Sequence, residues 1–203
     1  MNNKRMENSI RSLTNLYTVV VGAALSVAVV GAIDVNKGLN SVSAVSMLLF
    51  IAFFATLLPF FHGAMRHLDD VYIENKNPHV SRSALILDFS LLFLHALVFL
   101  ILSQLLKNPA DFAWILISIL LIDVVWGLFT TFGASSSGDF SAESRWTVIN
   151  FIFVACVASY LIHNGIYLKF EKDPIPVAIL LAIACVVRST VDYVWCKDFY
   201  FPK

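Results

Sequence analysis

Charge is scarce in this sequence. Only 14% of its 203 residues are Asp, Glu, Lys or Arg, while 59% are hydrophobic, including 17 Phe. Soluble domains carry roughly a quarter charged residues, so this chain cannot clothe a water-facing surface. Its net charge is zero, which argues against a nucleic-acid partner. Cysteine is scarce too. Cys156, Cys185 and Cys196 form no C-x-x-C pair and no disulfide framework, and each reads as a small buried residue. Signature motifs are also missing: there is no P-loop, Gly-rich selectivity loop, ladder of voltage-sensing arginines, G-x-S-x-G or H-E-x-x-H. No polar segment is long enough to be a soluble catalytic domain.

What the sequence does have is apolar length. A helix needs about 20 mostly apolar residues to cross a hydrocarbon core ~30 Å thick. Six runs qualify, over residues 13–33, 42–61, 84–106, 112–132, 147–168 and 175–196. They predict an all-α polytopic membrane protein: one integral-membrane domain over 1–203, with six transmembrane helices arranged as three hairpins. Turn chemistry separates the runs in D34-V-N-K-G38, K107-N-P-A-D111, G133-A-S-S-S-G138 and the stretch from Lys169 to Pro176. The linker 65–82 is polar but meets no helix breaker before Pro78, so the second helix should continue to about Tyr72. The first run is longer than a signal-peptide core and lacks a small-x-small site before Asp34, so it reads as a membrane helix.

The cations orient the bundle. Of the 14 Lys and Arg, ten (Lys4, Arg5, Arg11, Arg66, Lys76, Arg82, Arg145, Arg188, Lys197 and Lys203) fall on the side of the termini, and four (Lys37, Lys107, Lys169 and Lys172) on the other. The excess predicts cytoplasmic termini in a bacterial cytoplasmic (inner) membrane. Tyr17, Tyr72, Trp146, Tyr193, Trp195 and Tyr200 would belt the cytoplasmic interface, with Trp114 and Tyr167 marking the outer one.

Within these runs a few polar residues recur. Odd-numbered helices open on R11-S-L-T-N15, R82-S-A-L-I-L-D88 and R145-W-T-V-I-N150; even-numbered ones carry D70-V-Y72, D123-V-V-W126 and D192-Y-V-W195. This is a weak three-fold repeat. Arg66…Asp70 and Arg188…Asp192 also share an i,i+4 spacing that can bond along a helix face. A central Asp or Arg costs roughly 2.5–3.5 kcal/mol of insertion free energy, so such groups should turn inward and pair. The expectation is an intramembrane polar cluster of Asp88, Asp123, Arg188, Asp192 and Asn150, with Asp123 paired to Arg188. It would serve either as a cytoplasm-facing ion, proton or solute site, or as a structural bridge fixing helix pairing.

The histidines read as hydrogen-bonding residues. His62…His67 is i,i+5, His95 lies halfway along the third helix, His163 sits near an outer end, and His79 falls in a loop. No metal site and no cofactor are expected. G22-A-A-L-S26 and A155-C-V-A-S159 are small-x-x-x-small motifs suited to the core or to an oligomer face. Pro59 should free a backbone carbonyl just before His62.

Three functions compete. The first is a membrane subunit of a larger assembly: a sensor, anchor or effector working through a cytoplasmic protein partner at Arg66, His67, Asp69, Asp70 and Glu74. By its proportions it would suit a bacterial stress or phage-defence system. The second is a small homo-oligomeric channel or transporter using the Asp/Arg cluster. The third, a membrane-embedded enzyme, has no catalytic motif behind it. The lipid bilayer is the partner common to all three.

Overall fold

A computed structural model describes residues 3–33, 42–74, 82–133, 142–166 and 173–202. The stretches around Lys37, Lys76 and His79, the Gly/Ser segment after Gly133, and Tyr167 to Lys172 lie outside the described residues. The described chain is helical: α1 (Asn3–Ala32), α2 (Ala44–Asp69) running into a π-helical turn (Asp70–Glu74), α3 (Arg82–Gln104), α4 (Pro109–Gly133), α5 (Ala142–His163), α6 (Ile175–Trp195) and a short α7 (Lys197–Tyr200). Six of these helices are long and apolar enough to cross a membrane.

The outer surface agrees with that length. Val19, Ile86, Phe129, Ile183 and Val194 are each 60–72% exposed. A water-soluble monomer rarely leaves so much large apolar surface bare; against lipid it costs nothing. The chain is an integral membrane protein.

Helix boundaries follow local chemistry that hydropathy does not register. α1 starts ten residues before its apolar run. The Arg11–Glu7 pair at 2.9 Å and hydroxyl bonds from Ser12 to Asn8 O and Thr18 to Thr14 O accompany its polar first turns. α4 starts at Pro109 rather than Phe112, because proline is tolerated in a first turn, where its missing N–H costs no bond. Asn108 serves this turn, its backbone O accepting from Phe112 N at 3.0 Å and its side chain bonding Asp111. α2 does run past the apolar segment, through Tyr72 to Glu74.

Helix pairing departs from three sequential hairpins. The helices of each expected hairpin, α1–α2, α3–α4 and α5–α6, touch, but the most extensive pairs are α2–α6, α4–α5 and α1–α3. The buried stripe of α6 explains its attachment. Val177, Ala178, Leu181, Ala182, Cys185, Arg188, Ser189 and Asp192 recur every three or four residues, and small side chains among them permit close approach. α2 answers with Ala52, Thr56, Gly63 and Ala64. Pro59 supplies a specific link. Without an N–H it cannot bond Ala55 O, and that carbonyl instead accepts from Ser189 Oγ of α6.

The two small-x-x-x-small motifs do not make these contacts. Gly22, Ser26, Ala155 and Ser159 lie on exposed faces. The close approach on α1 is at Gly31, where an added Cβ would sit 3.5 Å from Ser103 O of α3. Cys156 is likewise exposed rather than buried, while Cys185 and Cys196 are buried.

Candidate functional site: a cavity with buried polar groups inside the bundle

Toward the end of the bundle that holds α7, the interior opens into a cavity of about 90 Å³. α2 contributes Pro59, Phe60, Gly63, Ala64 and His67; α3 contributes Leu91, Leu92 and His95; α4 contributes Asp123, Trp126 and Gly127. Trp146, Thr147 and Asn150 come from α5, Arg188 and Asp192 from α6, and Tyr200 from α7. At roughly 10–15 Å³ of such space per water, there is room for about six to nine waters or one small solute.

Asn150 organises one wall. Its side-chain N–H donates to Asp123 Oδ2, and its Oδ1 accepts from Arg188 Nε at 2.7 Å. The carboxylate of α4 and the guanidinium of α6 are therefore joined through an amide on α5, not by the direct pair expected from their depths. An amide suits this place because it presents a donor to the anion and an acceptor to the cation. Asn150 is 1% exposed and Arg188 6%. The guanidinium also lies over the Phe60 ring, its Cζ 5.2 Å from the centroid, a cation–π contact that burial strengthens.

Asp192 does not bond Arg188 one turn away on the same helix. Its Oδ2 accepts from Tyr200 Oη at 3.1 Å, and Tyr200 Oη also approaches Pro59 O at 3.4 Å. Burial, and then the neighbouring Asp192 carboxylate, push the Tyr200 phenol up from its ordinary range, so it stays protonated and donates. α7 thus folds back over the bundle end. Arg66 Nε donates to Phe199 O at 3.2 Å and Arg145 Nη1 to Trp195 O at 2.8 Å, fixing this end of the chain against α2 and α5. His62 and Tyr193 pack against Tyr200, with ring centroids 4.9 and 4.6 Å away.

Four buried polar atoms of cavity-lining residues are left without a hydrogen bond: His95 Nε2, Trp146 Nε1, Arg188 Nη1 and Asp192 Oδ1. The Trp146 indole and Cys196 thiol sit beside Asp192, yet Trp146 Nε1 and Asp192 Oδ1 form no well-aligned bond. Buried polar groups are nearly always satisfied, so four orphans around one cavity mark a place built for polar contacts.

Of the five residues expected in the cluster, the structure gathers four around this cavity: Asp123, Asn150, Arg188 and Asp192. Asp88 is elsewhere. Its Oδ2 accepts from Tyr72 Oη at 2.5 Å and meets His67 Nε2 at 3.3 Å. The depth of Asp88 along α3 matched the cluster, but its direction around the helix axis takes it to α2. Nor are the repeat positions equivalent, since Asn15 is exposed, Asp88 half-buried and Asn150 buried.

The residues of the expected partner surface are partly covered. Arg66, His67, Asp69 and Asp70 are all half-buried, and Arg66 and His67 bond within the chain. The Glu74 side chain lies outside the described ones. Three residues of the expected aromatic belt also point inward: Tyr17, Tyr72 and Tyr200 are 1%, 5% and 3% exposed. Tyr72 and Tyr200 each bring a hydroxyl to an aspartate, which a headgroup-facing ring would not do. Sequence reasoning missed His95, Trp126 and Trp146 as cavity residues and Tyr200 as an Asp192 ligand. The aromatic run F199-Y-F201 after the last apolar segment was the available signal for α7.

The fold and cavity define an integral membrane protein with six candidate membrane-spanning helices among its described residues, and a chamber lined by five of them and the short α7 whose mostly apolar wall carries several polar groups. No protein-family model, no curated protein and no solved structure matches the chain.

Proposed function

We propose that this protein binds a small polar solute in the intramembrane cavity and lets it cross, as a small channel or transporter. The observation that carries this reading is the set of unsatisfied buried polar atoms lining a cavity large enough for a solute. A bridge that only locked helices together would have its groups saturated by one another, as Asn150 is by Asp123 and Arg188. The excess of Lys and Arg among the terminal segments and alternate loops supports cytoplasmic termini. The α7 end of the cavity would then face the cytoplasm, in a bacterial inner membrane. The exposed small-residue faces at Gly22/Ser26 and Ala155/Ser159 suit helix contacts with further copies of the chain. The alternative of a subunit acting through a cytoplasmic partner draws less support, because Arg66 and His67 are engaged inside the chain.

Stopped-flow swelling of proteoliposomes tests the reading, with acetamide, glycine and glycerol as permeants. At least one should enter at least ten times faster than into protein-free vesicles, and Asp123→Asn should remove that excess. Rates equal to those of empty vesicles for all three would rule the proposal out.

A further inference from the structure

We infer that the occupant of the cavity is a compact zwitterion, a solute carrying one anionic and one cationic group a few bonds apart. This rests on the reading of the cavity as a solute site and names the class of solute.

The argument starts from Arg188 and Asp192. They lie four residues apart on α6, about 6 Å along the axis at 1.5 Å per residue, and both line the cavity. Each is held by one atom and open at another. Arg188 is fixed by Nε to Asn150 and by its stacking on Phe60, which leaves Nη1 without a partner. Asp192 is fixed by Oδ2 to Tyr200, which leaves Oδ1 without one. They are 6% and 2% exposed, and these two open atoms do not bond each other. The cavity therefore presents a donor with positive charge and an acceptor with negative charge, both oriented before anything binds.

An unpaired charge inside a membrane protein is costly. A lone anion would pair with Arg188 and leave Asp192 open; a lone cation would do the reverse. A zwitterion satisfies both in one event and brings no net charge into the bilayer. Trp126 and Trp146 add aromatic rings to the cavity wall for its cationic end. A cavity of about 90 Å³ holds a solute of only a few heavy atoms, which favours the smallest amino-acid-like zwitterions over those with bulky side chains.

The test is a titration of the full-length protein in lipid nanodiscs, followed by tryptophan fluorescence, since Trp126 and Trp146 line the cavity. The probes are glycine and β-alanine as zwitterions, acetate as anion, ethylammonium as cation and acetamide as neutral amide. At least one zwitterion should bind ten times more tightly than either acetate or ethylammonium, and Asp192→Asn and Arg188→Gln should each weaken it at least tenfold. The ranking of probes on the unaltered protein needs no variant, so misfolding of either variant does not remove the test. Acetate binding as tightly as the zwitterions and indifferent to Asp192→Asn would overturn the inference while sparing the solute site; so would the mirror result with ethylammonium. Tight acetamide binding with no zwitterion binding would do the same. If no probe binds, the zwitterion is excluded, and the proteoliposome rates decide separately whether the cavity passes solute at all.

Discussion

Replacing Asn150 with alanine should be the most damaging single deletion of a polar group in the bundle. The amide carries two hydrogen bonds to ionisable partners, Asp123 and Arg188, while 1% exposed. Hydrogen bonds to charged groups contribute about 1.5–3 kcal/mol each, so Asn150→Ala removes about 3–6 kcal/mol before the site relaxes. The cavity beside Asp123 lets it and the guanidinium turn toward water or toward each other. We therefore expect a loss of about 3–4 kcal/mol, near the lower part of the about 3–5 kcal/mol seen when buried pairs lose one partner. Reversible unfolding in mixed detergent micelles, titrated with SDS and followed by circular dichroism, measures it. Ser118→Ala is the control, because that hydroxyl only bonds back to Trp114 O of its own helix and is exposed. Asp123→Asn in the Asn150→Ala background should cost less than in the intact protein, giving a coupling of about 0.5–3 kcal/mol. An Asn150→Ala loss below about 0.5 kcal/mol, within the range of ordinary surface changes, would refute the bridge.

Further outcomes follow from the same geometry. Ser189→Ala should cost about 1–3 kcal/mol by orphaning Ala55 O, and adding Pro59→Ala should recover part of that loss, because residue 59 then offers the missing N–H; strict additivity in the same unfolding assay would contradict this account of Pro59. Tyr200→Phe should destabilise the chain by about 1–3 kcal/mol, as Asp192 Oδ2 loses its donor, and should speed solute entry at the α7 end; unchanged stability and unchanged swelling rates would show that α7 does not close the cavity. Arg66→Gln combined with Arg145→Gln should expose the chain after Trp195 to proteolysis in intact nanodiscs, since each arginine holds a carbonyl of that segment; a cleavage rate equal to that of the unaltered protein would count against the clamp. Gly63→Ala should be tolerated within about 0.5 kcal/mol, because its Cβ would meet Tyr200 Oη at an ordinary 3.5 Å; a larger loss would mean that this contact is tighter than described.

The apolar runs made the number and rough placement of the spanning helices legible, because bilayer thickness sets a length that few other constraints imitate. The ends of the helices were not legible from hydropathy. The first turns of α1 are held by Glu7–Arg11 and hydroxyl bonds, and α4 begins on Pro109. Helix pairing was hidden for a different reason. Short loops make chain neighbours adjacent, but the extent of contact depends on links such as Ser189 to Ala55, whose partners stand 134 residues apart in sequence.

The candidate site shows the same division. The insertion cost of charge drew attention to Asp123, Arg188 and Asp192 without any structure. Counting residues from a helix end gives depth but not the direction a side chain takes around the axis. That is why Asp88, at suitable depth on α3, turns to His67 and Tyr72 instead. It is also why Asn150 stands between the two charges that seemed bound to meet. The part played by Tyr200 depends on α7 folding back, which no periodicity in four residues can announce.

If the cavity around Asp123, Asn150, Arg188 and Asp192 admits water and small polar solutes, a cysteine on its wall should react with water-soluble reagents. In a protein with Cys156, Cys185 and Cys196 replaced by alanine, Thr147→Cys places a thiol on the cavity wall, whereas Phe151→Cys places one on the exposed apolar face of α5. A membrane-impermeant methanethiosulfonate should label Thr147→Cys from the side of the termini at least ten times faster than Phe151→Cys. Equal and slow labelling of both positions would mean that the cavity is closed to water.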